Sequence, residues 1–391
     1  MASAAARREA GPAEVFLYGA PASLYTAKVR AFLRARRTPY VERFPSHPRY
    51  RSELREVVAS HRIPIVEFDD GLVLQDSAVI LDELERRYPD PAVRMGPRQK
   101  LATLLLEVIG DRGLAKAAMH YRWNFPEANE GFLVGEFGRS LRFPAPDAEV
   151  ARLGERVASK MSSYLPMLGV EARTIPAIER SYARTLELLN IHFCEHPYVL
   201  GGAPSRGDFA LMGPLYGHLA RDPYPLRLMQ RMAPLVFRWT ERINGAERPS
   251  PEFPHRPHGL EPADQVPPTL TAWVRHVLAG YADELIQSAA RFDAWSRAHP
   301  HAPAGSFVSP EGADQPALGP IIVDFHGVKV EQQALAHTLW LLQRALDFIE
   351  SLSGRERAAC EAWAADAGAA AVLDIRLTRR LTRMRNRLAV E

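Results

Sequence analysis

The stretch Tyr18-Gly19-Ala20-Pro21-Ala22-Ser23-Leu24-Tyr25-Thr26-Ala27-Lys28-Val29-Arg30 decides how the chain begins. Ahead of it stands the apolar run Glu14-Val15-Phe16-Leu17-Tyr18, and Tyr25 to Arg36 carries apolar residues at helical spacing. The segment therefore reads as strand, turn and helix. Ser23 falls at the mouth of that helix. A helix start carries about half a unit of positive charge, so an anion, including a thiolate, is favoured beside it. A serine at this place also suits a plain helix cap, and sequence leaves both readings open.

Working outward, Val41-Glu42-Arg43-Phe44 reads as a second strand and Tyr50 to Ser60 as a helix. Ile63-Pro64-Ile65-Val66-Glu67-Phe68 reads as a strand, Asp70-Gly71 as a hairpin turn and Leu72-Val73-Leu74 as the return strand. Ser77 to Tyr88 is a capped amphipathic helix that ends before Pro89. The order is βαβαββα. Pro64 opens an otherwise good strand, and proline is tolerated there at an edge, at a first position or in a cis bond. A cis bond would leave the N–H and C=O of Ile63 free to pair with an extended, peptide-like ligand. Gln75-Asp76-Ser77 places a carboxylate and a hydroxyl at another helix start. That pair either caps the helix or holds the ammonium and carboxylate of an amino acid.

From Pro97 the pattern turns to helical periodicities without a convincing strand: Arg98 to Phe125, Ala148 to Leu168, Ile175 to Glu195 and Asp208 to Leu219. Asn244 to Pro268, crowded with Pro, Glu, Arg and His, reads as a linker or surface strap. Thr269 to Ala298 is helical, and Ile321 to Val330 is a hairpin turning at His326-Gly327. A long helix over Glu331 to Leu352 and two shorter ones complete the pattern. Asp374 to Leu388 sets leucines along one helical face and arginines on the others, which reads as a docked helix with a basic outer face. The expected organisation is a leader over 1–12, an α/β domain over 13–92, a helical domain over 97–244, a strap over 245–268 and a mostly helical extension over 269–391.

Composition narrows the function. Of 391 residues, 47% are hydrophobic and 24% charged, ordinary for a globular chain with more than one core. The 49 Lys and Arg are nearly balanced by 46 Asp and Glu, for a net charge of +3, which argues against a nucleic-acid partner. No segment approaches the roughly 20 apolar residues of a membrane helix. The two cysteines, Cys194 and Cys360, are too few for a disulfide framework, and the expectation is a cytoplasmic protein. His192-Phe193-Cys194-Glu195-His196 matches the H-x-x-E-H pattern of some zinc peptidases. It ends a helix before Pro197, where histidines suit the helix dipole without any metal, and no metal is expected.

The sites at Ser23, Pro64 and Asp76-Ser77, in this order and spacing, resemble the glutathione S-transferase superfamily, as does Leu200-Gly201-Gly202 followed by Ser205-Arg206-Gly207-Asp208. The resemblance runs from Glu14 to about Asn244. It implies a thioredoxin-like domain followed by a helical bundle, and a homodimer. It implies that Ser23 donates to the glutathione sulfur, with Tyr18 and Tyr25 as rival donors. Ile63, before Pro64, would pair with the cysteinyl backbone, and Gln75, Asp76 and Ser77 would hold the γ-glutamyl end. Arg62, with His47 or Arg49, would face the glycine carboxylate. Serine at position 23 speaks against the covalent chemistry of cysteine-bearing relatives. Conjugation, thiolytic cleavage and isomerisation remain, each directed at a small hydrophobic or aromatic electrophile. The stretch Met119-His120-Tyr121-Arg122-Trp123-Asn124-Phe125 is expected to line the electrophile pocket, with Tyr121, Trp123 and Phe125 as aromatic surface and Arg122 facing an anion. The alternative is a noncatalytic glutathione-fold module that binds a partner through its C-terminal extension.

Overall fold

The computed structural model describes residues 15–246, 250–308 and 317–391; the expected leader over 1–12 lies outside them. The first unit contains β1 (Val15–Tyr18), α1 (Leu24–Ala35), β2 (Tyr40–Arg43), α2 (Arg55–Val57), β3 (Ile65–Glu67), β4 (Val73–Gln75) and α3 (Ser77–Arg87). Its sheet runs β2-β1-β3-β4. β1 is parallel to β2 and antiparallel to β3, and β3 is antiparallel to β4. The parallel pair requires a crossover, which α1 supplies. The turn from β1 into α1 is too tight for a side chain at Gly19, where a Cβ would come within 2.3 Å of Thr26.

The helical unit comes next, with α4 (Pro97–Val108), α5 (Ala115–Trp123), α6 (Pro126–Leu141), α7 (Asp147–Ser162), α8 (Ile175–Glu195), α9 (Arg206–Gly217), α10 (Pro223–Met232) and α11 (Pro234–Gly245). The single helix expected over Arg98 to Phe125 is broken by a π-helical turn, Ile109–Gly113. Gly110 sits there against the α9 backbone, where a Cβ would lie 2.6 Å from the Ala210 carbonyl oxygen. α9 runs through the core and is capped by Asp208, whose Oδ2 accepts the Ser205 N–H at 2.8 Å. Its Oδ1 accepts from Val199 N at 3.0 Å and from Trp239 Nε1 at 3.0 Å. α1 packs on α9 across Gly213, where a Cβ would lie 2.8 Å from Leu24.

The strap does more than connect. Its Asp264 carboxylate accepts the Arg98 and Gln99 amides at 2.9 and 3.0 Å, capping α4 from outside. Beyond it come α12 (Pro268–Ala298), β5 (Ala317–Phe325), β6 (Val328–Leu335), α13 (Ala336–Ser351), α14 (Gly354–Asp366), α15 (Ala370–Leu373), β7 (Leu381–Met384) and β8 (Arg387–Val390). Two expectations are corrected. Residues 331–335 continue the hairpin as β6, so the long helix begins only at Ala336. The tail is not a helix but the β7–β8 hairpin, closed by Arg385 and Asn386 at φ 49 and 57°. Two successive positive-φ residues suit a two-residue hairpin turn and end any helix. Phe32, Leu105, Trp239, Trp273 and Leu339, drawn from the α/β unit, the helical unit and the extension, belong to one continuous apolar core.

A buried ion network crosses all three parts. Lys28 Nζ on α1 lies 2.7 Å from Glu107 and 2.9 Å from Asp111, with all three side chains almost fully enclosed. Arg206 on α9 donates to Glu107, Asp82 and Glu85 and to the Ala78 carbonyl. Arg344 on α13 reaches Glu107 at 3.2 Å and Asp82 at 2.6 Å. Burial pushes the Glu107 carboxyl up, but Arg206, Lys28 and Arg344 outweigh it and hold it well below the usual carboxylate range. Breaking such a pair leaves a charge stranded in a poor solvent. Glu107→Gln should destabilise the fold by about 3–5 kcal/mol, read as a lower urea midpoint with unchanged m-value; a change below about 0.5 kcal/mol would mean the network is not what joins the parts.

Candidate functional site

A cleft of about 930 Å³ opens where α1, α3, α5, α6, α7 and the extension meet. Ser23 stands on its wall as the cap of α1, and its Oγ accepts the Thr26 N–H at 3.2 Å. The Ser23 O–H has no acceptor among the described residues, so it remains a donor toward the cleft. The first amides of α1 likewise lack acceptors within the helix. The loop that presents Ser23 is pinned from behind: Arg122 Nη1 donates to the Ala22 carbonyl at 2.8 Å and Arg30 Nη2 to the Ala20 carbonyl at 3.3 Å.

Arg62, Ile63, Pro64, Gln75, Asp76 and Ser77 all border this cleft. The Ile63–Pro64 peptide is cis, and nothing among the described residues hydrogen-bonds the Ile63 backbone. Asp76 caps α3 at φ 88°, with Oδ1 accepting the Ala78 N–H at 2.9 Å. Its other oxygen is engaged by His337 Nε2 at 2.8 Å and Arg383 Nη1 at 2.8 Å. Burial raises the Asp76 carboxyl, but His337, Arg383 and the Ala78 amide hold it well below its ordinary range. It is therefore ionised, and His337 must carry its proton on Nε2.

Several expected residues lie elsewhere. Tyr18 is fully buried in β1, accepting from Arg43 at 2.8 Å and donating to Glu67 at 3.1 Å. Strand alternation turns it away from the cleft. His47 packs its ring edge against Tyr18, and Arg49 is spent on Glu67, so neither borders the cleft. Tyr25 does border it, close to the Asp111 backbone, and burial raises its hydroxyl pKa. On α5, Met119 and Trp123 face the cleft one turn apart, and Trp123 stacks on Phe137 with ring centroids 6.0 Å apart. Tyr121 and Phe125 point to the other side, into a stack with Tyr224. Arg122 touches the cleft but is not free for an anion. It is 3% exposed, forked onto Asp222 at 2.6 and 2.9 Å, and bound to the Gly217 carbonyl at 3.0 Å.

Sequence reasoning missed four features of the cleft. Met161, Tyr164, Met167 and Leu168, on and after α7, supply an apolar wall. Asp111 forms part of the floor with Oδ2 unpartnered. Burial raises its carboxyl, Lys28 opposes that and Glu107 adds to it, leaving it above the ordinary carboxylate range. His337 and Arg383 are the third and fourth, and no local signal marks them. The two histidines of the H-x-x-E-H stretch are occupied otherwise: His192 with Thr269 and the Tyr198 carbonyl, His196 with Glu261. Among the described residues no group of side chains is arranged to hold a metal ion, and no helix is long and apolar enough to cross a membrane.

The sheet, its crossover helix and the helical unit behind them define a thioredoxin-like domain joined to a helical bundle. Residues 17–92 match the family described as the N-terminal domain of glutathione S-transferase, and this segment belongs to that superfamily. No curated protein matches the chain. A glutathione S-transferase from Methylobacterium radiotolerans JCM 2831, solved in complex with glutathione sulfonate, is 19% identical and covers 65% of this chain and 100% of its own, with a TM-score of 0.36. The β-etherase LigF from Sphingobium sp. strain SYK-6 is 16% identical, covering 61% and 96% at a TM-score of 0.38. The transferase GSTFuA3 from Phanerochaete chrysosporium is 12% identical, covering 61% and 98% at 0.41.

His218, on the cleft wall beside Arg122, is held well below its ordinary pKa by burial and by the guanidinium charge. His192 is lowered by burial to about 3. Both are neutral when folded, whereas the unfolded chain protonates them below about 6.5. The unfolded state thus binds more protons, and stability falls as pH drops. The melting temperature should be flat from pH 8 to 7 and decline below about 6.5, and His192→Asn should shallow that decline; an unchanged slope would show that other groups carry it.

Proposed function

We propose that the chain is a glutathione-dependent transferase that generates a thiolate beside Ser23 and directs it at a small hydrophobic or aromatic electrophile in the cleft. The observation that carries this reading is the uncommitted Ser23 hydroxyl, at the start of α1, on the wall of a cleft bordered also by Ile63, Asp76 and Ser77. A free thiol has a pKa near 8.5, so only a few per cent is thiolate at neutral pH. Lowering it by about two units corresponds to roughly 2.7 kcal/mol of preferential anion stabilisation. A hydroxyl donor and a helix start together are of that order. Ser23 donates because its lone pair already accepts from Thr26. Tyr25 is the second candidate donor; its raised pKa keeps it protonated at neutral pH.

In this reading Ile63 pairs with the cysteinyl backbone, Arg62 faces the glycine carboxylate, and Gln75, Asp76 and Ser77 meet the γ-glutamyl end. The electrophile lies against Met119, Trp123, Phe137 and the α7 wall. Such a wall selects by size and shape more than by identity. Conjugation, thiolytic cleavage and isomerisation all fit a thiolate in this place, and a homodimer in the cytoplasm is the proposed state of the protein.

Ser23→Ala should lower kcat for glutathione-dependent turnover about tenfold or more, with glutathione affinity changed less than about threefold. The thiolate absorbance titration of bound glutathione should move upward by about one unit or more in the variant. Equal turnover with an unmoved titration would remove Ser23 from the mechanism. One observation favours the second reading, a noncatalytic glutathione-fold module: the Asp76 carboxylate is already engaged by the extension. That reading requires wild-type protein to bind glutathione with an unshifted thiol titration.

A further inference from the structure

We infer that the C-terminal extension makes the Asp76 end of the cleft a subsite for a carboxylate rather than for an amino-acid ammonium, with Arg383 and His337 as its specificity-determining residues. The inference rests on the proposed function, in which this end receives the γ-glutamyl group. An amino-acid head offers two opposite charges, and a lone buried carboxylate on the protein would seek the ammonium. In this chain Asp76 is not alone. His337 Nε2 and Arg383 Nη1 both lie 2.8 Å from its Oδ2, and Oδ1 holds the Ala78 amide. The neighbouring acceptor, Gln75 Oε1, is also taken, by Arg383 Nη2 at 2.8 Å.

The charge count at this end then favours an anion. Arg383 balances Asp76, and Arg62 borders the same cleft close enough to repel the Arg383 guanidinium. Burial and that repulsion lower the Arg383 pKa while Asp76 raises it, a sign of excess positive charge in a confined place. A ligand carboxylate arriving between Arg383, His337 and the Ser77 hydroxyl relieves the excess; an ammonium adds to it. The two residues are also held in place. Arg383 lies 5.3 Å from the Trp340 ring centroid, and its hairpin is tied to the α/β unit by Asn386 Nδ2 donating to the Val58 carbonyl at 2.6 Å. A donor fixed before the ligand arrives loses little entropy when it binds.

The test compares three tripeptides on the full-length protein by isothermal titration calorimetry. They are glutathione, glutaryl-cysteinyl-glycine, which lacks the ammonium, and 4-aminobutanoyl-cysteinyl-glycine, which lacks the α-carboxylate. Loss of the ammonium should change Kd less than about threefold, and loss of the carboxylate should weaken binding about thirtyfold or more, the range of a charge-assisted hydrogen bond. Arg383→Gln should weaken glutathione about tenfold or more, and Arg383→Lys should recover part of that. The wild-type comparison stands even where a variant fails to fold. A large penalty for losing the ammonium, with little for the carboxylate, overturns the inference. So does tighter glutathione binding by Arg383→Gln, which would make the extension an occupant of the subsite. Both outcomes keep glutathione binding and hence the proposed function. Failure of all three tripeptides to bind overturns the proposed function together with the inference.

Discussion

The Glu107 carboxylate is the constraint on which the molecule turns. It meets Lys28 from the α/β unit, Arg206 from the buried helix of the helical unit and Arg344 from the extension. Isolated in an apolar interior, any of these charges would be very costly. Together they satisfy one another only when all three parts are in register. A purely apolar interface tolerates sliding because dispersion is non-directional, whereas forked guanidinium contacts require particular positions. The apolar core around the network supplies the bulk of the driving force, and the ions specify which arrangement that core adopts.

That register has a consequence at the cleft. Lys28 lies on the same helix whose start carries Ser23, and its second partner, Asp111, forms part of the floor. Arg344 lies on α13, the helix that begins beside His337. The network therefore fixes the Ser23 wall, the Asp111 floor and the His337 edge relative to one another. Arg122 and Asp222 do the same for the loop ahead of Ser23, through the Ala22 carbonyl. The residues at the centre of the expected site are placed by buried charges that never touch a ligand.

Much of the fold was legible where local signals agree. The helix read over Ile175 to Glu195 has those bounds, because its apolar spacing and the proline after it are both local. The hairpin turning at His326-Gly327 was equally readable from its turn residues. The tail misled because arginine and leucine spacing suits a helical face as well as a pair of short strands, and the turn at Arg385-Asn386 has no glycine to mark it. The break inside Arg98 to Phe125 was hidden for another reason: Gly110 answers to the backbone of Ala210, which is remote in sequence. Within the site, Ser23, Pro64 and Asp76 sit at element boundaries, where sequence is most explicit. Tyr121, Phe125 and Arg122 were misjudged because a helix end shows which residues are unusual but not which way each faces.

The sequence by itself determined the order of elements in the first unit, the helix start at Ser23, the cap at Asp76 and the helical character of the second unit, since each depends on residues within a few positions. Only the tertiary structure decided that Arg383 and His337, separated from Asp76 by 307 and 261 positions, close on its carboxylate. It also decided that Arg122 is spent on Asp222. The reason is electrostatic: which cation meets which carboxylate is settled by the distance and solvent exclusion that packing creates, and neither quantity is written in local order along the chain.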